Sequence, residues 1–105
     1  MQKGGFVYII TNKNKTVLYV GVTSNLKSRI WEHEHHEFDK SFTNKYNLEF
    51  LIYYEWYDNI ERAIEREKQL KRWTRDKKEY IINLKNKDWR FLNDEIYNEV
   101  YSLLY

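Results

Sequence analysis

The sequence predicts a small α/β domain of the α+β kind, with a three-stranded antiparallel sheet flanked by helices. Three observations carry that class. Residues 6–10 and 17–22 are short β-branched and aromatic runs separated by a polar turn, and residues 48–56 form a third run of the same kind. Apolar residues recur at helical spacing in residues 24–36, 58–73 and 74–84, and again from Asn93 onward. At 105 residues the chain suits one domain with one core, and an aromatic content of 18% supports a packed interior rather than a disordered tail.

The first two runs read as a hairpin. With residues 12–15 as the loop, antiparallel pairing sets Thr11 opposite Thr16 and Tyr8 opposite Tyr19. Opposed residues share a sheet face with Cβ atoms about 5 Å apart, so two phenols become neighbours. The following segment is a helix capped by Ser24 or Asn25, with Leu26, Ile30, His33 and Arg29 on one stripe. Residues 37–47 are polar and read as loop. Asp58 or Asn59 opens a second long helix to about Trp73, with Ile60, Ala63, Ile64, Glu67 and Leu70 inward. Thr74 caps a shorter helix through Leu84, and Asn86-Lys87-Asp88-Trp89 is a turn. A last helix from Asn93 or Asp94 uses Ile96, Val100, Leu103 and Leu104.

Cysteine is absent, which excludes disulfide staples, thiolate nucleophiles and thiolate zinc ligands. The first apolar run is too short for a signal-peptide core or a membrane span, so a cytoplasmic protein without membrane contact is expected. Net charge is only +2, but its distribution is uneven. Residues 1–31 carry five Lys or Arg and no acid, and residues 68–90 carry nine basic and three acidic side chains. Residues 32–67 between them carry ten acids and four bases. Two basic blocks around an acidic middle fit a phosphate-facing surface, and equally fit ordinary surface scatter.

Three features break local rules without visible compensation. Glu67 puts a carboxylate on an apolar stripe, which is costly unless it is paired, hydrogen-bonded or metal-bound. Pairing with a neighbouring Lys or Arg near the edge of the stripe is the plainer reading. Arg29 and His33, four apart, present a guanidinium and an imidazole together, suited to phosphate charge and proton handling. A snorkelling Arg29 and a His33 bonded to a carbonyl are the plainer reading. Gly21 ends a strand, where glycine marks a bulge, a close approach or simply the strand end. His35 and His36 read as solvated.

Taken in order, these residues resemble the GIY-YIG nucleases. Phe6-Val7-Tyr8 and Tyr19-Val20-Gly21 are similar to the two signature tripeptides, with Phe6 for Gly and Val7 for Ile in the first. Arg29, His33 and Glu67 follow where that family carries its helical arginine, a frequent histidine and its metal-binding glutamate. Asn86-Lys87-Asp88-Trp89 resembles the Asn-Pro-x-Trp element of small one-domain members, with Lys87 for the proline and Asn83 as rival to Asn86. The resemblance spans residues 6–92 and implies a nuclease domain over residues 1–90, related to the N-terminal domain of the excision-repair incision subunit. Residues 91–105 would be a helical extension packed on it.

The resemblance implies DNA phosphodiester hydrolysis with one Mg2+ (or Mn2+) held by Glu67. Tyr19 would be the general base, with its pKa lowered from about 10 by metal, Arg29 or Tyr8. Tyr8 would orient water or phosphate, Arg29 clamp nonbridging oxygens, and His33 relay a proton. Gly21 and Asn86 would shape the site. Lys68, Lys71, Arg72, Arg75, Lys77 and Lys78 would hold the flanking backbone. A phosphotyrosyl intermediate is the covalent alternative. The rival classes are a non-catalytic DNA-binding module and a subunit docked to a protein partner that supplies targeting.

Overall fold

Polar and apolar residues do not alternate along β1 (Gly5–Thr11), where all seven residues are buried. The strand lies at the centre of the sheet and is covered on both faces, which favours a continuous apolar run. The computed structural model describes residues 4–37 and 41–98. β2 (Leu18–Thr23) and β3 (Phe50–Tyr57) flank β1 antiparallel, in the order β2-β1-β3. Around them run α1 (Leu26–Glu34), α2 (Phe42–Lys45), α3 (Ile60–Arg72), α4 (Arg75–Lys85) and α5 (Asn93–Tyr97).

Phe6, Tyr8 and Ile10 face one side, closed by Leu26 and Ile30 of α1 and by Leu92 and Ile96 at α5. Val7 and Ile9 face the other, against Ala63 and Leu70 of α3 and Ile81 and Ile82 of α4. Helices therefore sandwich a three-stranded antiparallel sheet, and the α+β class expected from sequence is the observed one. The helix starts follow their cap residues. Asn25 accepts from Ser28 N, Asn59 from Glu61 N and Arg62 N, and Thr74 from Lys77 N.

The hairpin register differs from the expected one. Thr11 pairs with Leu18, Ile10 with Tyr19 and Tyr8 with Gly21. Asn12 is the cause: its Oδ1 accepts from Thr16 N at 2.8 Å and Val17 N at 3.0 Å. Those bonds draw Thr16 and Val17 into the loop instead of the ladder. The displacement is two residues, so strand parity is kept and both phenols stay on one face.

Two further expectations are corrected. Residues 37–47 are not all loop, because Ser41 caps the single turn of α2 by accepting from Asn44 N at 3.2 Å. A four-residue helix has no apolar stripe to announce it. Ile64 does not face inward; it is 37% exposed, while Ala63 and Leu70 are the buried positions of α3. At α5, the Asn93 side chain turns back to accept from Leu51 N at 2.8 Å. Val100, Leu103 and Leu104 lie outside the described residues.

Candidate active site

Tyr8 rises from the central strand into the α1 side of the core and is 1% exposed. Its ring needs the space that Gly21 leaves. A Cβ at Gly21 would come within 2.3 Å of Tyr8 Cζ and 2.4 Å of its Oη. Any other residue there would displace the phenol, so glycine at the cross-strand position is steric in origin. The Tyr8 hydroxyl lies 2.9 Å from His33 Nε2, across the sheet–α1 interface.

Burial, opposed by the guanidinium of Arg29, pushes the Tyr8 phenol above its ordinary pKa. Burial, reinforced by Arg29, lowers His33 from 6.5 to about 4. At neutral pH the pair is therefore phenol and neutral imidazole, and one proton bridges them. The His33 ring sits between the two tyrosines, with centroids 5.7 Å from Tyr8 and 6.3 Å from Tyr19.

Tyr19, half-buried on the edge strand, faces a cleft of about 120 Å³. Tyr8, Arg29, His33, Ser41, Phe42 and Thr43 line the remainder. Arg29 reaches it from α1 and pairs with Glu32 at 3.0 Å. Sequence reasoning missed Ser41, Phe42 and Thr43, which α2 brings to the cleft. An aromatic residue inside a polar stretch was the available signal.

Glu67 approaches from the opposite face of the sheet, on α3. Its side chain is 13% exposed and accepts from Lys71 Nζ at 2.8 Å. That ammonium lies 5.4 Å from the Tyr19 ring centroid, so Lys71 links the carboxylate to the cleft tyrosine. The bond to Glu67 raises the Lys71 pKa. The other cations expected to bind nucleic acid lie on α3 and α4. Lys68 and Arg72 are exposed on α3, and Lys77 lies 6.0 Å from the Trp73 ring. Lys78 is half-buried. Arg75 pairs with Glu79 and donates to Thr16 O at 2.6 Å and Lys15 O at 3.1 Å, clamping the hairpin loop.

Asn86 is not a lining residue of the cleft. It is buried and donates to Ile52 O and Arg90 O while accepting from Arg90 N, which fastens the turn after α4 to β3. Asn83, exposed, accepts from Trp89 Nε1 at 2.6 Å. His36 meets Glu49 at 2.9 Å, and His35 stacks on Trp31.

The sequence also gave no prominence to Glu55, a buried strand carboxylate. It accepts from the Tyr53 hydroxyl, from Tyr57 at 2.7 Å and from Arg66 at 3.0 and 3.1 Å. Against burial, which raises it, these bonds hold the Glu55 pKa below the usual carboxylate value. A charge within the aromatic run 53–57 was the sign.

The GIY-YIG catalytic domain family matches residues 4–87. A UPF0213 protein of Syntrophus aciditrophicus is 31% identical over 77 residues, 73% of this chain and 87% of that protein. Another from Clostridium perfringens is 33% identical over 81 residues, 77% of this chain and 85% of its own. The solution NMR structure of a UPF0213 protein from Bacillus halodurans superposes with a TM-score of 0.53 at 26% identity. It covers 82% of this chain and 89% of that one. Both tyrosines, Gly21, Arg29, His33 and Glu67 lie inside the matched span, and the chain belongs to the GIY-YIG family, among its small UPF0213 members.

Proposed function

We propose that this protein is a divalent-metal-dependent endonuclease that hydrolyses DNA phosphodiester bonds. The observation that carries the reading is the cleft, where two phenols, an imidazole and a guanidinium converge beside the Lys71–Glu67 pair. Arg29 supplies positive charge for the nonbridging oxygens of a phosphate. Tyr19 opens on the cleft and is the general base that takes a proton from the attacking water. Tyr8, whose pKa is raised by burial, keeps its proton and orients the water or phosphate. His33, neutral down to about pH 4, is held at the cleft by its hydrogen bond with the Tyr8 hydroxyl. Gly21 keeps the Tyr8 ring in place. Lys68 and Arg72 hold flanking phosphates.

Glu67 is the residue that would hold Mg2+ or Mn2+. Among the described residues no three His, Asp or Glu side chains gather into a protein-built cage. One carboxylate fits Mg2+, which retains several waters and takes one or two carboxylates. When bound, such a cation stabilises charge on the scissile phosphate and leaving oxygen.

The test is nicking of supercoiled plasmid with and without Mg2+. Glu67→Gln is expected to lower the rate by about 10³-fold or more, since a metal supplies several kcal/mol to such a transition state. Its thermal unfolding midpoint should be unchanged. Wild-type rates in that variant would remove Glu67 from the metal role. Salt-sensitive DNA binding with no nicking under Mg2+ or Mn2+ would mark a non-catalytic module instead.

A further inference from the structure

We propose that Phe42 and Tyr46, continuing from Tyr19, form a stacking subsite for unpaired nucleobases beside the scissile phosphate. The inference rests on the nuclease reading and assigns that site a class of substrate, a strand with unstacked bases next to the cleft. The Phe42 ring lies 6.3 Å from that of Tyr19 at an interplanar angle of 28°, and 4.7 Å from that of Tyr46 at 49°. Three rings thus run outward from the cleft wall.

The outer two are open to solvent, Phe42 at 50% and Tyr46 at 40% exposure. Their exposure is built into the turn that carries them. Ser41 caps it, Thr43 is buried, and Leu48 N donates to Thr43 O at 2.9 Å.

The charges around the rings identify the occupant. Lys45 Nζ lies 5.5 Å from the Tyr46 ring centroid, Lys71 Nζ lies 5.4 Å from that of Tyr19, and Arg29 lines the cleft. A protein-docking patch is typically depleted of charge at its centre. Cations interleaved with aromatic faces match a strand whose phosphates meet the cations while its bases stack on the rings. Bases inside a duplex have both faces covered by their neighbours. Away from duplex ends, only unpaired bases, in a single strand, flap or bulge, offer a face to Phe42.

The experiment compares affinity for three probes in EDTA at low salt. These are a 12-nucleotide oligo-dT, an abasic strand with the same backbone, and a blunt duplex, all read by fluorescence anisotropy. Wild type is expected to prefer oligo-dT over the abasic strand by roughly 5- to 150-fold, the range for one stacked base. Phe42→Leu combined with Tyr46→Leu should bring that ratio near one while the abasic affinity stays as in wild type. Phe42→Trp should preserve the ratio, which separates loss of stacking from loss of fold. Equal wild-type affinity for oligo-dT and abasic strand, or a full ratio in the double leucine variant, overturns the proposal. Because no metal is present, this failure can occur with plasmid nicking intact. Absence of binding to all three probes overturns the subsite, and joined to absence of plasmid nicking under Mg2+ it overturns the nuclease reading as well.

Discussion

At the β3 side of the sheet, Glu55 receives hydrogen bonds from Tyr53, Tyr57 and Arg66. At the β2 side, Glu67 is met among the described residues by Lys71 alone. Both carboxylates face α3 or belong to it, and both are largely shielded from water. Glu55 has its acceptor capacity taken up by the fold, and the Asn86 amide is likewise engaged, donating to Ile52 O and Arg90 O and accepting from Arg90 N. Glu67 keeps lone pairs for another partner. The contrast separates a carboxylate saturated by the fold from one with a single described protein partner, which burial alone does not do.

The sharpest way to break that contrast lies among the tyrosines. Tyr19→Phe keeps the ring but removes the proton acceptor, so cleavage should fall ~10²–10⁴-fold, the range for general base catalysis, with unfolding unchanged. Tyr8→Phe should slow cleavage less. Single-turnover rates of plasmid nicking measure both, and an unaltered rate in Tyr19→Phe refutes the base assignment. A DNA–protein adduct surviving denaturation would refute hydrolysis by water in favour of a phosphotyrosyl intermediate.

On the saturated side the expected loss is one of stability. Glu55→Gln leaves the Arg66 guanidinium without its counter-charge and should destabilise by about 3 kcal/mol, read from urea denaturation. The equivalent change at Glu67 should shift the urea midpoint little. Similar losses at the two positions would erase the distinction between them.

The smallest effect is a pH dependence. The unfolded His33 imidazole takes up a proton near pH 6.5, whereas the folded one does so only near pH 4. As pH falls through that window the unfolded state binds the extra proton, so stability present above pH 6.5 declines and levels off near pH 4. The expected loss is at most about 3 kcal/mol, the full shift of the imidazole. Glu55, with its folded pKa below the ordinary 4.5, adds its own loss only at the acid end of that range and below. Urea midpoints stepped through the window should fall in wild type and remain flatter in His33→Gln; parallel curves would remove His33 from the account.

What sequence could disclose depended on whether a residue acts through its neighbours in the chain or through distant ones. Asn25, Asn59 and Thr74 start helices through bonds to residues two or three ahead, and those starts were legible. Tyr8 and Tyr19 shared a face as expected, because face depends only on parity. Their register was not legible, since the Asn12 side chain replaces two ladder positions by bonds that composition does not reveal. Phe42 and Thr43 reach the cleft by a turn too short to leave a periodic trace. Glu55 depends on Arg66, eleven residues away on another element. Burial of Tyr8 over Gly21 could be suspected from a glycine in a strand, but its cause is cross-strand contact.

The central strand has one further consequence, for the order in which a ribosome delivers the parts. β1 and β2 emerge early, with both phenols, but the second edge of β1 is filled only when β3 has followed α1 and α2. Glu67 comes later still, on α3. With the roles proposed above, a nascent chain exposes its tyrosines before it owns the carboxylate that would hold a cation. On those roles hydrolytic capacity would arrive only after the sheet has closed, and a polypeptide still lacking α3 would not cleave the nucleic acid around it.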